Sequence, residues 1–183
     1  MHRLALPVLV LLVALGSVEP GLAGDLEAGA AFDRLKSLAG TWEGTPEAEG
    51  EPEAEAAEMG GVKHVFEVSA AGTVVMETME PDTDHEMINM YHLDGDELVL
   101  THYCAGGNQP TMRLDRKTST ADKLVFEFTG GTNLDPAVDT HIHAAEIDLQ
   151  GDDAMVSSWL SYADGKQAGK MTFHLARDGG AAN

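Results

Sequence analysis

The sequence predicts an all-β protein, an up-and-down antiparallel β-barrel of about ten strands with a short N-terminal helix. Three observations carry that expectation. From residue 62 onward the apolar residues recur with a period of two, and they keep it almost to the end of the chain. The alternating segments are separated by short turns, among them Ala70-Ala71-Gly72, Asp94-Gly95, Gln150-Gly151-Asp152 and Asp164-Gly165. No stretch of helix length falls between them, so sequence neighbours pair antiparallel, and closing the sheet on itself is the simplest way to remove its edges. A two-sheet sandwich is the alternative, and it would use longer crossovers than these.

Taken in order, the chain opens with Met1-His2-Arg3, a short basic region, followed by an apolar run over residues 4–15. Gly21-Leu22-Ala23 then places small residues at the −3 and −1 positions of a cleavage site, so residues 1–23 read as a signal peptide. The run is shorter than a transmembrane helix needs, and no second run of roughly 20 apolar residues follows. The expectation is an exported protein, periplasmic or secreted, without membrane insertion. Residues 24–183 suit a single domain with its own core.

Within that domain, Phe32, Leu35 and Leu38 make one apolar side of a short helix that stops at Gly40. Thr41-Trp42-Glu43-Gly44 begins the first strand. Residues 45–61 are dense in Glu, Ala and Pro and predict a flexible acidic loop, with room for a helical turn over 54–59. The remaining strands are expected at 62–69, 73–79, 86–93, 97–104, 111–116, 123–129, 141–149, 154–162 and 169–177.

The formal net charge is −20, and removing residues 1–23 leaves it unchanged because Arg3 and Glu19 cancel. Such a field repels phosphate backbones and anionic headgroups, which argues against nucleic acid and membrane surfaces as partners. The acidic run 47–58 lacks the spacing of a calcium loop and reads as solvated. Cys104 is the single cysteine, so an internal disulfide is excluded. It is either a small buried hydrophobe or a free thiol.

A helix running into Gly40-Thr41-Trp42 resembles the G-x-W opening of the calycin superfamily, which holds the lipocalins and fatty-acid-binding proteins, and that of the nitrobindin-like barrels. In that pattern the strand-one Trp lies at the closed end of the barrel under a basic side chain from the last strand, a place that Arg177 fills here. By parity Arg177 shares a face with Met171, Phe173 and Leu175. The likeness spans residues 31–177, including VMETM, MYHLDGDELVLTHYC and NQP, stretches similar to those of bacterial exported lipocalin-like proteins of unassigned function. The acidic and aromatic turn found late in lipocalin barrels is missing, and the strand count favours the ten-stranded type. The resemblance implies a lumen that holds one small apolar or amphipathic molecule.

Parity nominates the polar residues that would line such a lumen. Leu98, Leu100, His102 and Cys104 share one face, His141 and His143 share one with Ala145, Ile147 and Leu149, and His64 lies with Val62 and Phe66. Asn108 and Gln109, in the turn before Pro110, could reach over the barrel mouth, with Arg113 supplying a charge. The candidate ligand-binding set is therefore His64, His102, Cys104, Asn108, Gln109, Arg113, His141 and His143. The plainer alternative is a set of hydrogen-bonded histidines in a wet lumen and a satisfied turn.

Two further readings use the same residues. His141 and His143 at spacing two, with His102 and Cys104, would suit Zn or Cu, and one axial His could hold haem, as the nitrobindin likeness implies. Cys104 activated by a lumen His would make an enzyme, but no orienting carboxylate is evident in the sequence, and no residue is assigned as catalytic. The methionines read as adaptable core filling rather than copper ligands. His85, beside Asp82 and Asp84, reads as a solvated turn. Tyr91 and His92 have opposite parity, and their neighbours do not decide which faces inward.

Overall fold

The structure is a computed structural model that describes residues 25–50 and 59–179. The segment read as a signal peptide and the acidic residues 51–58 lie outside the described residues. Helix α1 (Ala28–Lys36) is followed by ten strands: β1 (Gly40–Gly50), β2 (Val62–Ser69), β3 (Val74–Met79), β4 (Met87–Asp94), β5 (Glu97–Tyr103), β6 (Gln109–Leu114), β7 (Lys123–Thr132), β8 (His141–Leu149), β9 (Ala154–Ala163) and β10 (Lys166–Arg177). Each strand pairs antiparallel with the next, and β1 pairs with β10, so the sheet is a closed barrel. That is the predicted architecture. No described helix is long and apolar enough to cross a membrane.

The predicted acidic loop begins too early. Residues 45–50 continue β1 and pair with β10 as far as Gly50 opposite Gly169. The Glu-rich run hides an alternation: Glu43, Thr45, Glu47 and Glu49 are exposed, while Gly44, Pro46 and Ala48 are half-buried. Pro46 is tolerated because β2 pairs with β1 only over Gly40–Gly44, so beyond that point β1 has one partner. At the hairpin of β4 and β5, Asp94 pairs with Glu97, and Gly95 takes a φ of 63° at the first of the two turn positions. β6 starts at Gln109, two residues before the predicted 111, so Gln109 belongs to a strand rather than to the turn.

A meander sends alternate connections to opposite ends. The turns near residues 71, 95, 118 and 151 gather at one end with α1, and those near 83, 106, 136 and 164 gather at the other. Helix α1 closes the first end by burying Ala28, Ala31, Phe32 and Leu35, spaced as one helical stripe. Nine residues make a marginal helix alone, so docking is what holds it. Burial of Phe32 and Leu35 contributes about 1.5–3 kcal/mol each.

The chain leaving α1 exposes the carbonyls of Ser37, Leu38 and Ala39, and the barrel supplies their donors. Trp42 Nε1 donates to Leu38 O at 2.8 Å, while Arg177 donates to Ala39 O at 2.9 Å and Ser37 O at 3.0 Å. The Arg177 guanidinium also stacks 4.3 Å above the Trp42 ring. Because Trp42 and Arg177 are register partners across β1 and β10, the same two side chains cap the helix and lock the barrel seam. Phe66, Leu98, Leu100, Met112, Leu124, Phe126, Ile147 and Met155 fill the half of the barrel nearer α1.

Candidate ligand site in the barrel lumen

The half of the barrel away from α1 is not filled. It holds a cavity of about 460 Å³ walled by Met79, Met87, Ile142, Trp159, Met171 and Phe173. Glu80, His85, Ala105, Gly106 and Thr140 stand at its rim on the connecting turns, and His102 and Cys104 project into it from β5 and the turn that follows. Trp159 is held by donation from Nε1 to Ser157 Oγ at 2.8 Å, and its ring lies 5.4 Å from that of His102.

Between cavity and apolar core lies a buried polar network centred on Glu77. This carboxylate is fully buried. His64 Nδ1 lies 2.7 Å from Glu77 Oε1, and Tyr91 Oη and Asn89 Nδ2 lie 2.7 and 2.9 Å from Oε2. A carboxylate only accepts, so His64 Nδ1, Tyr91 and Asn89 are the donors, and three charge-assisted bonds compensate the buried charge. The Asn89 amide is thereby oriented with its oxygen towards His102 Nδ1, 2.7 Å away, which must donate to it. The networked histidines both present Nε2 as the remaining ring nitrogen. Neither His64 Nε2 nor His102 Nε2 has a protein hydrogen-bond partner, although both are buried.

Electrostatics follow from this burial. Burial pushes the His102 pKa down to about 4, and attraction to Glu77 offsets only part of the fall, so the ring is neutral near pH 7. Tyr91 is raised well above its ordinary value by burial and then by the Glu77 charge, and it stays a donor.

The structure distributes the other predicted site residues more widely than parity implied. His64 is buried behind the cavity wall, edge-on to Phe173 with centroids 4.8 Å apart. Asn108 Nδ2 donates to Thr140 O at 2.8 Å and ties the turn after β5 to the one before β8. Gln109 donates to Gly107 O and accepts from Thr132 and Asn133, bracing the same turn. Arg113 is ion-paired with Glu97 and Asp94 on the exposed face and is not part of the cavity wall.

His141 and His143 do not line the cavity; Ile142 does. A β-bulge at His143 in β8 is the reason: Ile142 pairs with Ser161 and Ala144 with Leu160, so one residue is extra and the alternation slips. The two imidazoles instead join a ring stack, with His143 centred 4.8 Å from Phe128 and 3.8 Å from Tyr162, and His141 Nε2 lying 3.1 Å from His143 Nδ1. Burial and the neighbouring His141 lower the His143 pKa.

The alternative metal set of His102, Cys104, His141 and His143 is therefore not brought together, and no described group of three or more His, Cys, Asp or Glu is placed to hold a metal ion. For haem, His102 Nε2 would serve as an axial donor. No described Lys or Arg lines the cavity to pair with the propionates, so the residues do not fit that group. Cys104 Sγ accepts from Gly106 N at 3.4 Å and lines the cavity.

Sequence reasoning missed Glu77 and Asn89, and it left Tyr91 against His92 undecided, where the structure buries Tyr91. The signal was in the alternation, since Val75, Glu77 and Met79 occupy one face, and a glutamate in the middle of an inward apolar face is costly without partners. The carboxylate orients His64 directly and His102 only through Asn89.

Fold and site together define a closed ten-stranded antiparallel β-barrel, filled at one end and hollow at the other, with a carboxylate-centred network under the cavity. A solved structure from Nostoc punctiforme, a protein of unknown function from the DUF3598 family, is similar, with a TM-score of 0.50 and 10% sequence identity over 78% of this chain and 48% of that one. At that identity the likeness shows the fold alone, and the chain spans about half the length of this neighbour. No protein-family model matches the chain, and no curated protein matches it.

Proposed function

We propose that this protein binds a small, mainly apolar or amphipathic molecule in the open half of its barrel. The observation that carries the reading is the cavity of about 460 Å³, whose wall is built of methionine, isoleucine and aromatic side chains with a few polar groups, the composition and size of a small-molecule site. Met79, Met87 and Met171 are flexible and polarisable, which suits a wall that adapts to its guest. The G-x-W opening and the Arg177 lid over Trp42 support placing the barrel among the calycin-like folds. The basic and apolar N-terminal sequence supports export, with the mature chain starting at Gly24.

The test is native mass spectrometry and solvent extraction of protein purified from its own organism. The expected result is one stoichiometric bound mass that is released on denaturation and quenches Trp159 fluorescence when added back. Protein that carries no bound mass and whose Trp159 fluorescence no apolar probe alters refutes the reading. N-terminal sequencing of the same material tests the cleavage site.

A further inference from the structure

We propose that the lumen selects uncharged ligands that carry a hydrogen-bond donor, such as a phenolic or aliphatic hydroxyl, at their buried end, and that His102 Nε2 is the acceptor that reads it. The inference deepens the lumen reading and rests on it. Three described buried side-chain atoms lack a protein partner: His64 Nε2, His102 Nε2 and Asn108 Oδ1. Of these residues only His102 lines the cavity. A buried acceptor left unpaired is costly, so a ligand that satisfies it gains affinity over an equally apolar one that does not.

The acceptor character of Nε2 is fixed by a chain of bonds rather than by its own surroundings. Tyr91 and Asn89 both donate to Glu77, and the Asn89 amide nitrogen also lies 3.2 Å from Met79 Sδ, so the amide cannot reverse without breaking contacts at both ends. With its oxygen towards β5, Asn89 accepts the hydrogen bond of His102 Nδ1–H, and the neutral ring is left with a bare Nε2. The ring lies beside Trp159, which gives a flat aromatic ligand a surface to pack on, and because Nε2 is covered, a donor reaches it as the flexible methionines of the wall give way.

Ligand charge is constrained by the same geometry. A carboxylate ligand would enter a lumen with no described Lys or Arg in its wall, beneath which the Glu77 carboxyl already takes up the donors of His64, Asn89 and Tyr91. Its desolvation would find no compensating cation, whereas a hydroxyl needs only one acceptor.

Titration calorimetry of the mature chain with 2-naphthol, 2-methoxynaphthalene and 2-naphthoate tests this, since the three share a ring system and differ in donor and charge. The expected result is that 2-naphthol binds about tenfold more tightly than its methyl ether, with the carboxylate weakest, and that His102→Phe abolishes the preference for the hydroxyl. Nitrogen-15 spectra of unsubstituted protein give a second measurement that needs no variant to fold. His102 Nε2 should resonate as an unprotonated nitrogen and move on adding 2-naphthol but not its ether. Equal binding of naphthol and ether, tightest binding of the carboxylate, or a proton on Nε2 overturns the inference and leaves the lumen reading standing. Failure of all three probes to bind overturns both.

Discussion

Acidification should test the His102 environment directly. In the unfolded chain the imidazole titrates near 6.5, and in the barrel near 4, so between those values the folded state binds fewer protons than the unfolded state. Stability from this group is therefore complete above about pH 6.5 and is lost as pH falls towards 4, below which the loss is complete. A fall from 6.5 to about 4, at about 1.4 kcal/mol per pH unit, amounts to about 3 kcal/mol. Urea unfolding of the parent and of His102→Gln, at pH values from 7 to 4, isolates the contribution, because Gln offers an amide N–H to Asn89 Oδ1 but does not titrate. The parent should lose about 3 kcal/mol more than the variant across that window. Parallel loss in the two proteins would refute the buried, neutral histidine and with it the orientation of Asn89.

Further substitutions address the rest of the framework. Glu77→Leu leaves three buried donors without an acceptor and should cost about 3–5 kcal/mol by chemical denaturation; a loss under about 1 kcal/mol would show that the carboxylate is not the hub. Arg177→Met keeps an apolar stem over Trp42 but abandons the Ser37 and Ala39 carbonyls, and should lower the thermal midpoint by about 4–8 °C. A Cβ at Gly44 would overlap the His174 carbonyl across the β1–β10 seam, so Gly44→Ala should cost about 3 kcal/mol in urea unfolding. Gly29→Ala, in α1 with no atom within 4 Å of the added carbon, should stabilise by about 0.5 kcal/mol in the same measurement.

The barrel was legible because period-two alternation and short turns are local signals, and because Trp42 and Arg177 mark the two strands that close it. Parity put His64 and His102 on the buried faces of β2 and β5, which run without interruption, while Cys104 falls in the turn just past the end of β5. It failed at His141 and His143 because one extra residue in a strand reverses the faces, and nothing in HIHAAEIDL announces where that residue falls. The acidic run 45–50 was misread because composition was weighed above alternation; Glu47 and Glu49 are the outward set of a strand whose pairing with β10 no local signal reveals. Glu77 went unnoticed for a related reason. A single carboxylate on an inward face looks like an interruption until the register brings His64, Asn89 and Tyr91 around it.

The seam between β1 and β10 sets an order of assembly. Every pairing from β2 through β10 joins consecutive strands and can form by local zippering, whereas Trp42 meets Arg177 only after nearly the whole domain has been ordered. Until then the meander has two open edges, each able to recruit the edge of another molecule. The arginine that caps the helix carbonyls is thus also the latch that ends this exposed interval, and the Arg177→Met variant should collect in aggregates during refolding at concentrations where the parent refolds.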